Sequence, residues 1–296
     1  MGKEAAGYIK KAVLFVNLYK KNAPDAAVKI QAELEKKEIE TTVFSFEGKP
    51  QKPPAGKWDI AFSLGGDGTV LYTARCLAPA GVPILPVNLG SLGFIAEVDM
   101  DDWLDVFLRY EKGEILPSRR CMFEISVERA SGIIMKNISL NDAVISATGI
   151  AKLIKLDVHL NAKTDVNAAS VFMGSYRCDG LIVATPTGST AYSMAAGGPI
   201  LDPEMEAVIL NPICPFALSN RPFVFPSRQS LSITVAEDQR SDVLLTIDGQ
   251  DTFNLECTDK VIIRQAAQPA LLIFADRHAY YSALRTKLFW SGDAHA

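Results

Sequence analysis

The hydrophobic pattern of this 296-residue chain changes character at Pro117, and that change constrains the fold more than any other feature. Before it, short apolar runs alternate with stretches of helical spacing. Ala12-Val13-Leu14-Phe15-Val16 reads as a strand buried on both faces. Pro24 then opens a helix with Ala27, Ile30 and Leu34 on one side, and Glu33 and Lys37 spaced i,i+4 on another. Further strands are expected at 41–46, 58–64 and 84–87, helices at 70–77 and 101–110, and a Lys/Pro/Gly-rich loop at 48–57. Such alternation calls for a parallel sheet covered on both faces, an α/β, Rossmann-like N-terminal domain.

After Pro117, strand-like runs at 121–128, 133–140, 153–160, 170–176, 231–236, 243–247, 261–264 and 271–274 follow one another through short polar turns. Only 190–196 looks like a helix start, so the second domain is expected to be all-β. The tail, 278–289, carries Tyr281, Leu284 and Leu288 at helical spacing and is expected to pack back on the first domain. The expected division is 1–117, 118–275 and 276–296. The adjacent Arg119 and Arg120 fit a turn at the boundary better than a basic patch.

Composition narrows the partners. The chain is 48% hydrophobic and 22% charged, enough apolar content for a sizeable core. A net charge of -4 argues against a nucleic-acid partner. No apolar run approaches the ~18 residues a membrane span needs, and no secretory signal is visible. The five cysteines are far apart, with no CxxC pair and no zinc spacing, as expected of reduced thiols in a cytoplasmic protein.

Four segments carry chemistry. Gly65-Gly66-Asp67-Gly68-Thr69 follows an expected strand and opens an expected helix, the edge where open α/β sheets bind ligands. Glycines there let a phosphate approach the backbone, and the helix N-terminus offers free N–H groups. An aspartate makes sense in such a place as a proton acceptor for an attacking hydroxyl, or as a metal holder; the plainer reading is an N-cap. Asp179-Gly180-Leu181-Ile182-Val183-Ala184-Thr185-Pro186-Thr187-Gly188-Ser189-Thr190-Ala191-Tyr192 is a strand and a hydroxyl-rich turn, suited to reading a nucleoside, with Tyr192 able to stack on a ring. Asn141-Asp142 could bracket a purine edge or ribose diol, or form an Asx turn. Asp248-Gly249-Gln250 is a hairpin-turn signal. The Walker, GxGxxG, GxSxG and HExxH motifs are absent. His159, His278 and His295 read as structural.

Taken together, these segments resemble the NAD kinase family. The likeness also includes Ser193, Gly197-Gly198-Pro199-Ile200 and the glycine-rich Asn88-Leu89-Gly90-Ser91-Leu92-Gly93-Phe94, and runs through nearly the whole chain in order. The resemblance implies an α/β domain and an all-β domain with NAD between them, and transfer of a phosphoryl group from a triphosphate to the 2′-hydroxyl of the adenosine ribose. It implies that Asp67 is the general base, with Gly68 beside it, and that Asn141 and Asp142 contact the adenosine part. Relatives often carry Glu where Asp142 stands. Thr190, Ala191, Tyr192, Ser193, Met194 and Ala195 would hold the adenine. Lys152, Arg177, Asp179 and Gln250 would be further ligand contacts, with Asp179 near the nicotinamide half. The family uses Mg²⁺ or a similar divalent ion and forms homodimers or homotetramers. The resemblance does not assign the metal ligands, and no motif is dedicated to the donor, ATP or another. The glycine-aspartate loop is shared with diacylglycerol- and sphingosine-type lipid kinases, which are the alternative enzyme. A non-catalytic nucleotide sensor on the same fold is the alternative of another class.

Overall fold

The computed structural model describes residues 9–47, 52–90, 93–149, 152–162, 170–217, 219–276 and 279–288. Positions 48–51 of the expected loop, Ser91-Leu92 of the glycine-rich segment, His278 and His295 lie outside them. The chain forms two compact units. Met1–Arg119 and Gln268–Ala296 make the first, and Arg120–Ala267 makes the second.

With elements numbered along the whole chain, the first unit contains β1 (Lys11–Asn17), α1 (Ala23–Glu35), β2 (Glu40–Phe46), β3 (Ile60–Gly65), α2 (Asp67–Leu77), β4 (Pro83–Asn88), β5 (Val98–Asp99), α3 (Trp103–Glu111) and β6 (Ser118–Arg120). From the far end of the sequence come β19 (Ala270–Leu272) and α5 (Ala279–Leu288). The sheet order is β2-β1-β3-β4-β19-β6, with β5 also on β4. The pairings of β1 with β2 and β3, and of β4 with β3, β5 and β19, are parallel. Chain growth therefore reverses across β1, since β2 lies on one side and β3 on the other. The carboxyl ends of β1 and β3 flank that switch point, where a doubly wound sheet binds its ligand. Asn17 and Gly65 stand there.

Both faces of this sheet are covered, which explains why β1 and β3 read as unbroken apolar runs. Ala23, Ala27, Ile30 and Leu34 of α1 and Phe107 of α3 share one core with Leu14, Phe62 and Leu85. Tyr72 of α2 meets Phe15, Phe44 and Phe46, with ring centroids 5.9, 6.4 and 5.0 Å away. Burial of each large side chain stabilises by ~1.5–3 kcal/mol, so the strand ends that carry the site rest on a stiff support.

Three expectations need correction here. The run at 271–274 belongs to the parallel sheet, with Leu271 opposite Pro83 and Leu272 opposite Ile84, and not to the β-rich unit. A short apolar run encodes burial on both faces but not which sheet supplies it. Arg119 and Arg120 lie in a strand, not a turn. Helix α2 starts at Asp67, earlier than its apolar spacing suggests, and Gly66 is its N-cap residue.

The second unit contains β7 (Phe123–Arg129), β8 (Gly132–Ser139), β9 (Asp142–Ala147), β10 (Ile154–Ala162), β11 (Val171–Cys178), β12 (Gly180–Ala184), α4 (Tyr192–Ala195), β13 (Ala207–Ile213), β14 (Phe223–Pro226), β15 (Gln229–Val235), β16 (Val243–Ile247), β17 (Asp251–Leu255) and β18 (Lys260–Gln265). They form two six-stranded sheets, β11-β10-β15-β18-β7-β8 and β14-β13-β12-β9-β16-β17. Alternate side chains from both, among them Ile125, Ile145, Leu156, Val183, Ile233 and Leu245, make one core. The other face of the second sheet, Val144, Ile182, Ala184 and Ile209, is covered by Ala196 and Leu201. The helix expected at 190–196 is shorter: a 3₁₀ turn over Thr187–Thr190 precedes the single turn α4. Gly197 stops it, with φ 78°, and N–H groups of Gly197 and Gly198 donate back to Met194 O and Ser193 O at 2.9 and 2.8 Å.

Candidate functional site

In the first unit the site is built around Asp67, in the first turn of α2. Its carboxylate is caged by main chain. Phe94 N–H donates to Oδ2 at 2.9 Å, and Ile95 and Ala96 N–H donate to Oδ1 at 3.2 and 2.9 Å. A carboxylate offers about four lone-pair positions. Three are taken by these bonds, and the fourth, on Oδ2, can accept a proton donor from outside. Asp67 is half-buried and Gly68 beside it is exposed, so an approaching hydroxyl can reach that oxygen. Gly93 lies so close that a Cβ there would land on Asp67 Oδ1. Thr69 anchors the turn to the switch point, since its Oγ1 accepts from Asn17 Nδ2 at 3.1 Å. The side chain of Lys287, on α5, lies 4.2 Å from the ring centre of Phe94 and steadies the residue that holds Oδ2.

In the second unit the Asn141-Asp142 pair sits at the start of β9, opposite Ala184 at the end of β12. Its main chain is fastened from both sides. Thr185 donates its hydroxyl to Leu140 O, at 2.5 Å, and its N–H to Asn141 O, at 2.8 Å. Asp248, in the turn between β16 and β17, accepts from three successive amides. Its Oδ2 takes Leu140 N–H at 3.0 Å, and its Oδ1 takes Asn141 and Asp142 N–H at 2.8 and 3.2 Å. Gly188 packs so tightly on this segment that a Cβ would overlap the Asn141 carbonyl. With the backbone satisfied, the side chains remain. Asn141 Oδ1 and Thr187 Oγ1 are buried with no partner among the described residues. Buried polar atoms left unpaired cost about 1–3 kcal/mol each, which a ligand hydrogen bond recovers. Asp142 is buried, and burial first, then the nearby Asp248 charge, push its carboxyl up to about 7. Near neutrality it can therefore both donate and accept a hydrogen bond.

The hydroxyl-rich turn continues the same wall. Thr190 is buried and donates to Thr187 O at 3.3 Å. Ser189 Oγ accepts Leu201 N–H at 3.0 Å. Tyr192 is exposed and free to lie against a ring. Ser193 is fixed by Asn211, whose Nδ2 donates to Ser193 O at 2.9 Å. Ala191 and Met194 are partly exposed, and Ala195 is exposed.

The remaining expected contacts divide. Gln250 closes the same turn as Asp248, with its N–H on Ile247 O at 2.9 Å. Lys152, Arg177 and Asp179 instead gather at the opposite end of β12, where Ala147 N–H donates to Asp179 O at 3.2 Å. Five residues of strand separate Asp179 from the position opposite Asp142, roughly 17 Å at ~3.4 Å per residue. Arg177 stacks its guanidinium 5.1 Å over Phe216 and lines a cavity of about 570 Å³ with Leu153, Lys155, Asp238 and Arg240. Cys178, between Arg177 and Asp179, is buried, and burial pushes its thiol up to about 12, so it stays protonated. The described residues contain no group of three or more His, Cys, Asp or Glu that could cage a metal ion. They contain no helix long and apolar enough to cross a membrane.

Sequence reasoning missed three contributors. The Phe94, Ile95 and Ala96 amides have no side-chain signature. Asp248 signalled only a turn. Asn211 is a buried polar residue within the apolar strand β13, and that mismatch was its available signal.

The chain is similar to known proteins over most of its length. Residues 2–115 match the ATP-NAD kinase N-terminal domain, and residues 140–274 match the ATP-NAD kinase C-terminal domain. The NAD kinase of Treponema denticola is 41% identical over 97% of this chain and 98% of its own length. That of Geobacter sulfurreducens is 39% identical over 78% of each. Among solved structures, yeast NADH kinase complexed with NADH has a TM-score of 0.83 at 21% identity, covering 98% of this chain and 89% of its own. An NAD kinase from Archaeoglobus fulgidus in complex with ATP has a TM-score of 0.70 at 23% identity, covering 93% and 96%.

Proposed function

The chain belongs to the ATP-NAD kinase family, and from that premise we propose that it is an NAD kinase that makes NADP by phosphorylating the 2′-hydroxyl of the adenosine ribose of NAD, with Asp67 as general base. The observation that carries the assignment of the base is the cage on Asp67. Three amides fix the carboxylate in one orientation and leave one lone pair on Oδ2. The hydroxyl proton passes to that lone pair as the ribose oxygen forms its bond to the γ-phosphorus and the bond to the leaving diphosphate breaks. A carboxylate base contributes about 10²–10⁴ in rate, and the rest comes from positioning.

Asn141, Asp142 and residues 190–195 hold the adenosine, with Gln250 beside them, and Lys152, Arg177 and Asp179 take the other half of the dinucleotide. The donor is a triphosphate such as ATP, set near the N-terminus of α2, where the positive end of the helix dipole favours phosphate. A divalent ion such as Mg²⁺ would accompany the triphosphate, held mainly by its phosphates with one or two protein carboxylates. Bound there, it would neutralise charge on the phosphates. The protein works in the cytoplasm as a homodimer or homotetramer. The deciding test is a coupled assay for NADP formed from NAD and ATP with Mg²⁺. Sustained NADP formation supports the reading, and nucleotide binding without turnover ends it.

A further inference from the structure

The turn between β16 and β17 holds a residue whose side chain does more than the turn requires. Asp248 and Gly249 both adopt left-handed backbone, with φ 51° and 65°. A β-turn with two left-handed central residues accepts Asn-Gly or Gly-Gly as readily as Asp-Gly, so the turn alone does not call for a carboxylate. Asp248 nevertheless sends its carboxylate across to a segment more than a hundred residues away in sequence and takes the N–H groups of Leu140, Asn141 and Asp142. Its own N–H returns to Asp142 O at 3.0 Å, which closes a ring with the bond from Asp142 N–H to the Asp248 carboxylate.

Three successive amides that converge on one point form a concave anion seat. Here a carboxylate of the same chain fills it. Bonds from N–H to an ionised oxygen are about twice as strong as neutral ones, so the seat fixes the local backbone firmly. With Thr185 holding the carbonyls of Leu140 and Asn141, little freedom is left in residues 140–142 except in the side chains of Asn141 and Asp142.

We propose that Asp248 is a positioning residue for the nucleotide acceptor: its carboxylate shapes the backbone of residues 140–142 and so aims the Asn141 and Asp142 side chains at the adenosine of NAD. The proposal rests on the reading of Asn141 and Asp142 as NAD contacts. Asp248 touches no reacting atom, so its loss acts on acceptor binding and leaves the transfer step largely intact.

The test uses the full-length enzyme and two substitutions that tolerate left-handed backbone. Asp248→Asn keeps one accepting oxygen, and Asp248→Gly keeps none. KM for NAD is expected to rise about tenfold in the Asn variant and further in the Gly variant, while kcat and KM for ATP change by less than about threefold. Asp259→Asn is the control for lost stability. Asp259 is another buried carboxylate of the second unit, held by Arg129 and the Glu256 amide, and its loss should lower Tm with KM for NAD unchanged. If Asp248→Gly does not fold, Asp248→Asn alone decides. A folded Asp248→Asn with wild-type KM for NAD, in an enzyme where Asn141→Ala raises that KM, overturns the proposal. So does an equal rise in Asp248→Asn and Asp259→Asn. If Asn141→Ala itself leaves KM for NAD at the wild-type value, it is the underlying reading of Asn141 and Asp142 that fails, and the proposal with it.

Discussion

Gly93 lies against Asp67 so closely that the smallest side chain at position 93 would occupy the place of Asp67 Oδ1. The next three residues of that loop supply the amides that hold the carboxylate. Gly93→Ala must therefore push the loop or the carboxylate aside. We expect kcat to fall by at least about tenfold while KM for NAD changes little, since a misplaced base weakens the transfer step more than acceptor binding. Steady-state NADP formation measures both. Full turnover in the variant would show that the contact has no catalytic weight.

Asp67→Asn keeps the shape of the side chain and removes its proton-accepting charge. Its amide would take the Ile95 and Ala96 bonds through oxygen and turn NH₂ towards the Phe94 amide. The expected result is a kcat lower by at least about 10²-fold with KM for NAD nearly constant. A variant that keeps most of its turnover removes Asp67 from the role of base.

Asp142 gives the fold a pH dependence of definite sign. Burial and Asp248 raise its folded value from 3.8 to about 7. Between those limits the folded protein keeps a proton that the unfolded chain has released, so this group costs stability progressively as pH rises towards 7. Below the lower limit the cost is absent, and above 7 it is constant. At ~1.4 kcal/mol per pH unit, the full effect is on the order of 4 kcal/mol. Asp142→Asn has no proton to lose, so its Tm relative to wild type should climb from pH 4 to pH 8. Thermal melts across that range that stay parallel would contradict the assignment.

Thr190→Val preserves the branched shape and deletes the hydroxyl that reaches Thr187 O. If this turn holds adenine, the contact exists before and during transfer and contributes uniform binding. KM for NAD should rise roughly ten- to a hundredfold with kcat less affected. An unchanged KM for NAD takes adenine recognition away from the turn.

Apolar side chains mark the edges of both sheets of the second unit. Phe172 and Val171 are exposed on β11, and Phe223 and Val224 on β14. Sheet edges that carry exposed apolar groups are usually paired or covered. A dimer or tetramer is the expected mass by light scattering at assay concentration, and Phe172→Asp should shift it towards monomer. A monomeric wild-type protein counts against the oligomer.

Where a residue's environment is written in its neighbours, the sequence was legible. The apolar runs of β1, β3 and β12 are buried on both faces, and their residues say so. The glycine-aspartate turn at the end of β3 was legible because glycine and a carboxylate at a strand end serve few other purposes. What was hidden depends on residues far apart in the chain. The amides of Phe94 to Ala96 are common to every residue type. The raised affinity of Asp142 for its proton follows from burial and from Asp248, neither visible in the local pattern. Strand β9 begins with Asp142 and β13 carries Asn211 and Pro212, so polar residues that serve the site blurred their strand character.

The strand β19 enters the first unit's sheet beside β4, although β4 ends at Asn88 and β19 begins at Ala270. On the ribosome, at ~5–20 residues per second, the open edge of β4 waits on the order of ten to forty seconds for its neighbour. The second unit is continuous in sequence and can close on itself during that interval. The sheet that supports Asp67 can thus be completed only after the whole of the second unit has been synthesised.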